Sequence, residues 1–209
     1  MPPIEIVFQD PHLLVVNKPA NLLTVPGKGP EKQDCLINRM LKTHPNSRVV
    51  HRLDMATSGL VILPQNQTSL SKLARSFQDR EIHKEYIAVV EGCVELEHGF
   101  VEQPLICDWT NRPKQMIHSD GKHALTEYHR LEQNKTKNQS RLLLKPVTGR
   151  SHQLRVHTEF LGHPILGDSL YGTESSRAQS DRLLLHAQRI QFKHPVYPGW
   201  ITLTCRAPF

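Results

Sequence analysis

The chain opens on short apolar runs broken by turn residues. Ile4 to Phe8 and Leu13 to Asn17 predict two strands, separated by Gln9-Asp10-Pro11-His12. Lys18-Pro19 stops the second run, and Leu22 to Val25 is a third short apolar stretch ended by Pro26-Gly27. The period then changes. Leu36, Ile37, Met40 and Leu41 fall at helical spacing within Gln33 to Lys42, and His44-Pro45 ends that segment. Thr68 to Arg80 predicts the cleanest amphipathic helix, with Leu70, Leu73, Ala74 and Phe77 on one stripe and Lys72, Arg75, Asp79 and Arg80 facing away. His83 to Glu91 predicts a strand and Val101 to Ile106 another short β piece. Cys107 to Gln115 is a polar loop with one aromatic residue and two cations. Leu125 to Leu131 and Arg141 to Pro146 predict paired strands, with Glu132 to Ser140 as a solvated turn. Ser151 to Leu161 predicts a helix, with Ser151 as N-cap and Gly162 as its stop. Leu183 to Phe192 and Ile201 to Cys205 close the chain, split by Pro198-Gly199.

Strands and helices are interspersed without strict alternation and without repeats. That order predicts an α+β fold, a large mixed, mostly antiparallel sheet flanked by helices. With 209 residues, the chain is long enough for a substantial core, and 38% hydrophobic content excludes a disordered chain. The expectation is one domain over residues 1–209, with no small basic module before the first strand. The formal charge is +6, with 13 histidines besides. A moderate basic surplus favours a polyanionic partner without naming one. Cys35, Cys93, Cys107 and Cys205 are scattered and form no C-x-x-C pair, so they read as reduced thiols. The N-terminus lacks a basic, apolar leader, and no run approaches the ~20 apolar residues of a membrane span. A cytoplasmic protein without a membrane partner is expected.

The chain's polar chemistry concentrates between Val49 and Ile62. Val49-Val50 reads as the end of one buried strand and Leu60 to Leu63 as the start of another. Between them stand His51, Arg52, Asp54, Thr57 and Ser58, with Gly59 as pivot. A carboxylate at such a corner must be paired or useful, because an unpaired buried charge is costly. The plain alternative for Asp54 is a turn residue accepting backbone hydrogen bonds. A second cluster is Thr148 to His157, Thr-Gly-Arg-Ser-His-Gln-Leu-Arg-Val-His. At helical spacing His152 faces with Arg155, and Gln153 with His157. Arg155 is either a donor fork aimed at a carboxylate or an exposed surface residue. The histidines lack the spacing of a zinc motif and read as ordinary helical residues. Tyr86, on the strand after Lys84-Glu85, offers a flat ring suited to a pyrimidine but would also fill a core. The basic surplus supplies Arg112, Lys114 and Arg150 as candidate phosphate contacts.

The nine residues His51 to Gly59, His-Arg-Leu-Asp-Met-Ala-Thr-Ser-Gly, resemble the signature of the RluA family of RNA pseudouridine synthases. Thr148 to His157 and Lys84-Glu85-Tyr86-Ile87-Ala88 are similar to two further elements of that family. The resemblance covers nearly the whole chain and implies a curved central sheet with a cleft across it. It implies that Asp54 is the catalytic residue, that Arg155 forms a salt bridge to it, and that Tyr86 stacks on the target base. It implies that Arg52, beside His51, inserts where the flipped base was. Asp108 to Gln115 and Arg182 to Ala187 resemble a subgroup acting on a tRNA anticodon stem-loop uridine and on a similar hairpin of 23S rRNA. The implied partner is therefore RNA, tRNA or 23S rRNA, and not DNA, with the protein a monomer.

Uridine becomes pseudouridine when N1–C1′ breaks, the base turns, and C5–C1′ forms. There is no redox change and no net proton uptake, so the stoichiometry calls for neither cofactor nor metal. A carboxylate could attack the sugar, attack the ring or remove the C2′ proton to give a glycal, and the family leans toward the glycal route. In each case it must be ionised, which an arginine partner favours. Two other classes compete with this reading. A non-catalytic RNA-binding assembly factor would not need Asp54, Tyr86 and Arg155 together. A histidine-based metal hydrolase would need a ligand-spaced cluster.

Overall fold

The computed structural model describes residues 3–209; Met1 and Pro2, the first residues of the N-terminal stretch read above, lie outside the described residues. The chain divides into two compact units, the residues up to Lys84 together with Ala187–Pro208, and Glu85–His186 together with Phe209. As expected, the fold is α+β, a large and mostly antiparallel sheet with few helices.

In the first unit, β1 (Glu5–Gln9), β2 (Leu13–Lys18), β3 (Ser58–Pro64) and β10 (Leu185–Lys193) follow one another across the sheet, and β11 (Trp200–Thr204) pairs with β10. The β2–β3 ladder is antiparallel and runs from Leu13 opposite Pro64 to Lys18 opposite Gly59. Every residue of β3 is buried, as its unbroken apolar run requires of a strand covered on both faces. One core cluster joins Leu13, Val15, Leu60, Ile62, Leu73, Ile82, Ile190 and Phe192. Helix α2 (Gln67–Gln78) lays Leu73 into this cluster, with Phe77 against its margin. Its N-cap Asn66 accepts from the Ser69 amide at 2.9 Å. Ala74, expected on the inner stripe, is exposed, and Ser69 is buried.

The bounds of the first helix and the strand end at Val49-Val50 differ from expectation, for one reason: local side chains and carbonyls take the place of a ladder. Leu22 to Val25 forms no strand; the Leu23 and Thr24 carbonyls instead accept from Leu36 and Ile37 at 2.7 and 3.2 Å. That starts α1 at Leu36, so the helix is Leu36–Leu41, shorter than Gln33 to Lys42. Val49-Val50 is not strand either. The Ile62 amide, which a backbone partner could have used, donates to the His51 ring at 2.9 Å, and Val50 packs on the core from a loop.

In the second unit the order is β4 (His83–Glu91), β9 (Gln139–Pro146), β8 (Leu125–Asn134) and β5 (His98–Glu102). The predicted pairing of Leu125 to Leu131 with Arg141 to Pro146 is present and extends further, past a bulge between Arg130 and Glu132. Val101 to Ile106 divides at Gln103-Pro104 into β5 and β6 (Leu105–Cys107), and β6 pairs with β7 (Gln115–Ile117) as a separate hairpin. A proline has no amide for the ladder, which explains the break. Helix α3 (Gln153–Phe160) packs Val156 against Leu105, Ala124 and Tyr171. Ser151 is not its cap. His152 occupies that position at φ 54, and Gln153 closes the turn by accepting from Thr148 Oγ1 and the Arg150 amide at 2.7 and 3.0 Å. Its amide nitrogen donates to the Leu125 carbonyl and Thr126 Oγ1, both at 2.9 Å. The short helix α4 (Glu174–Ala178) carries no apolar periodicity and is not foreseen by the sequence reading.

Candidate active site

The loop from His51 to Thr57 is held at alternate residues. His51 accepts from Ile62 and stacks near Phe77, with ring centroids 4.6 Å apart. Both backbone groups of Leu53 bond to the Thr24 hydroxyl, which donates to its carbonyl at 2.8 Å and accepts from its amide at 3.2 Å. The Met55 carbonyl accepts from Lys18 Nζ at 3.2 Å. These three ties fix the backbone on either side of Arg52 and Asp54. Arg52 is exposed and Asp54 half-exposed. The Asp54 carbonyl accepts from the Thr57 amide at 3.1 Å and closes the turn. Gly59 then lets β3 begin. Its φ is +117, and a Cβ there would stand 2.3 Å from the Ala187 carbonyl oxygen, so no side chain fits.

Lys18 makes this anchoring possible. It is fully buried, and Nζ also donates to the Leu22 and Pro19 carbonyls at 2.8 and 2.9 Å. His51 is a neutral acceptor, its pKa pushed down to about 3 by burial and, secondarily, by the charge of Lys84. Burial likewise lowers the pKa of Lys84. The structure gives His51 a supporting task inside the loop. Arg52, by contrast, makes no ion pair among the described residues.

The second unit holds the other predicted residues. Tyr86 is half-buried on β4, opposite Leu144 of β9. Arg155 is 4% exposed, and its Nε and Nη2 donate to the two carboxylate oxygens of Asp168 at 2.7 and 2.6 Å. This is a side-on, two-point grip, the strongest geometry the pair can make. Asp168 Oδ1 also accepts from the Leu170 and Tyr171 amides at 2.9 and 3.1 Å. The Arg155 guanidinium lies 5.1 Å from the Tyr171 ring centroid. Tyr171 in turn accepts from the Gln115 amide and bonds His152 Nδ1, both at 2.7 Å. His157 is a core histidine. Thr126 Oγ1 stands at 2.9 Å from Nδ1 and the Gln103 carbonyl at 3.1 Å from Nε2, and burial lowers its pKa. Arg150 is tied to the His123 carbonyl at 2.9 Å, whereas Arg112 and Lys114 sit on the β6–β7 hairpin.

Lys18, Thr24, Asp168 and Tyr171 are the residues the sequence reading missed. Lys18 had a signal: two residues after Val16, it shares that buried residue's face of the strand. Asp168, after Gly167 and before Ser169, reads only as a turn residue.

Comparison with known proteins places the chain in a class. It belongs to the family of RNA pseudouridylate synthases, whose model matches residues 12–160, and it is an RNA uridine isomerase. The chain is 46% identical, over 209 residues, to the dual-specificity RNA pseudouridine synthase RluA of Escherichia coli strain K12, covering all of this chain and 95% of the relative. It is 49% identical over 195 residues to the RluA of Vibrio parahaemolyticus, covering 91% of this chain and 78% of that one. The human RNA pseudouridylate synthase domain containing 1 has the same fold, with a TM-score of 0.84 at 28% identity over 99% of this chain and 84% of the human one. No helix among the described residues is long and apolar enough to cross a membrane.

Proposed function

We propose that the chain isomerises a uridine of a tRNA anticodon stem-loop and a uridine of a 23S rRNA hairpin, in the cytoplasm and as a monomer. The dual specificity in the name of the 46% identical Escherichia coli relative supports two RNA substrates. A family match that runs from 12 to 160, through the boundary of the two units, supports one catalytic domain.

The observation that carries the reading is the loop anchored at His51, Leu53 and Met55, which holds the backbone around an exposed Arg52 and a half-exposed Asp54. A catalytic carboxylate must hold its position while a sugar moves, and rigid backbone anchors supply that. In this reading Arg52 enters the stack as the base leaves; flipping the base costs about a few kcal/mol, less in a loop than in a duplex. Tyr86 stacks on the detached uracil and keeps it in the site while it turns. Asp54 acts on the ribose. Arg155 keeps Asp54 ionised, and Asp168 orients Arg155 by occupying its Nε and Nη2. When C5 bonds to C1′, the C5 proton leaves and N1 takes one up, so the reaction balances without an added reactant. Arg112, Lys114 and Arg150 contact phosphates.

Tritium release from RNA labelled at uridine C5, run in EDTA, tests the assignment. Wild type releases tritium from tRNA and 23S rRNA. Asp54→Asn releases none while its RNA Kd stays within about threefold of wild type. Turnover by Asp54→Asn overturns the mechanism, and release from neither RNA by wild type overturns the substrates.

A further inference from the structure

The protein has two tryptophans. Trp109 is the more exposed, at 71%, and stands on the tip of the β6–β7 hairpin. An indole so exposed forgoes much of its burial free energy, so the tip is shaped for something other than folding. The tip is also rigid. Asp108 Oδ1 accepts from the Thr110 and Asn111 amides at 3.1 and 3.0 Å, and Oδ2 from the Asn111 side chain at 2.8 Å. The Asp108 amide donates to the Lys114 carbonyl at 3.0 Å and closes the hairpin. These bonds, the Asn111 side chain foremost, hold the Asp108 carboxyl below its ordinary pKa, so its charge is used inside the tip. The Arg112 guanidinium lies 4.8 Å from the Trp109 ring centroid. Neither Arg112 nor Lys114 makes an ion pair among the described residues.

An indole with the Arg112 cation on one face and solvent on the other suits a nucleobase, and Arg112 and Lys114 beside it suit its phosphates, the Lys114 charge being shared with Asp108 and Glu159. We propose that Trp109 is a nucleobase-stacking site. An unpaired base of the RNA lies on the indole face opposite Arg112, and Arg112 and Lys114 receive the adjoining phosphates. This rests on the RNA substrate proposed above and adds a contact that does not touch the reacting uridine. Trp200 is the internal comparison. It is 52% exposed, but it lies in a strand directly opposite Lys193, whose Nζ is 5.6 Å from its ring, with the His83 ring stacked at 6.1 Å.

Each tryptophan can be read alone by fluorescence. In Trp200→Phe, saturating unmodified tRNA quenches Trp109 by roughly half or more, because a stacked base deactivates the indole. In Trp109→Phe, the same RNA changes Trp200 emission by less than about a tenth. Trp109→Ala raises the RNA Kd about 5- to 30-fold, the equivalent of one lost base stack, whereas Trp109→Phe stays within about threefold. Its salt slope stays that of wild type, while Arg112→Gln lowers the slope by about one. Unquenched Trp109 at saturation, or wild-type Kd in Trp109→Ala, overturns the site; altered sedimentation with wild-type Kd assigns the indole to a protein contact and overturns it too. Tritium release separates the two readings. No release by wild type is a failure of the substrate assignment, whereas release with a wild-type KM in Trp109→Ala is a failure of the stacking site alone.

Discussion

Lys18 and Arg155 are both buried cations, and each unit solves the problem of burial differently. Lys18 is anchored on three backbone carbonyls, those of Pro19, Leu22 and Met55. Arg155 is anchored on a carboxylate, Asp168, that is itself held by two amides. A carbonyl is a dipole, so removing the cation leaves polar groups short of a hydrogen bond. A carboxylate is a charge, so removing either partner leaves the other charge exposed to a low dielectric. The first arrangement ties chain segments together. The second fixes one side chain in one orientation, which is what a residue must have if it is to steer a second carboxylate.

The sharpest way to break the comparison is Asp168→Ala. Arg155 would stay charged in a pocket where it is 4% exposed, without its two-point partner. The expected loss of stability is about 3–5 kcal/mol, read as a lowered denaturant midpoint with unchanged m-value. Asp168→Asn keeps the shape and an oxygen, so it should fold better than Asp168→Ala while still impairing turnover. A loss under about 1 kcal/mol in Asp168→Ala would mean that the pair is solvated and that Arg155 does not depend on it.

The two cations also differ in how far the sequence revealed them. Arg155 was legible because it sits in a decapeptide whose residue types are unusual together. Asp168 was not, because an aspartate in a turn is common and its partner is distant in the chain. Lys18 reads as the stop of a strand, and nothing local says that three carbonyls converge on it. The same rule governs the fold. β3, α2 and β4 were readable from local pattern, β3 as an unbroken apolar run, α2 from its 3.6-residue period and β4 from its strand-forming residues. The α3 cap, the missing strand at Val49-Val50 and the break at Pro104 depend on which group reaches a given amide first. The hold on the backbone around Arg52 and Asp54 belongs with these, because it comes from Thr24 and Lys18, which lie elsewhere in the sequence.

A third base sharpens the contrast, because the half-buried His51 stays neutral. Its folded pKa, about 3, lies below the unfolded value of about 6.5. The unfolded chain therefore binds a proton that the folded loop refuses. Stability from this group is complete above pH 6.5 and declines as pH falls toward 3. The slope approaches about 1.4 kcal/mol per pH unit. His157 adds a decline of the same sign, since burial lowers its pKa as well. His51→Gln keeps an acceptor for Ile62 without the titration. Denaturant curves between about pH 4 and 7 should show a shallower pH dependence in His51→Gln, by up to one proton. An unchanged slope would place the proton uptake elsewhere.

The smallest effect is expected at Lys18 itself. Lys18→Met fills nearly the same volume and removes the charge with its donors, leaving the Pro19, Leu22 and Met55 carbonyls one hydrogen bond poorer. The cost of such unsatisfied acceptors is about 1–3 kcal/mol, partly offset because a buried ammonium no longer has to be desolvated. The loss should therefore fall below that of Asp168→Ala. Its signature should be local. With Met55 released, the loop keeps its ties at Thr24 and His51 but loses the one after Asp54. Exchange of the Thr57 amide, which closes the turn on the Asp54 carbonyl, should accelerate more than exchange of the Leu53 amide on the Thr24 hydroxyl. Turnover should then fall with little change in RNA affinity, because a loosely held carboxylate costs orientation and not binding. Uniform acceleration of exchange across β2 and β3 would make Lys18 a general core residue, and the distinction between anchoring a segment and aiming a side chain would lose its basis.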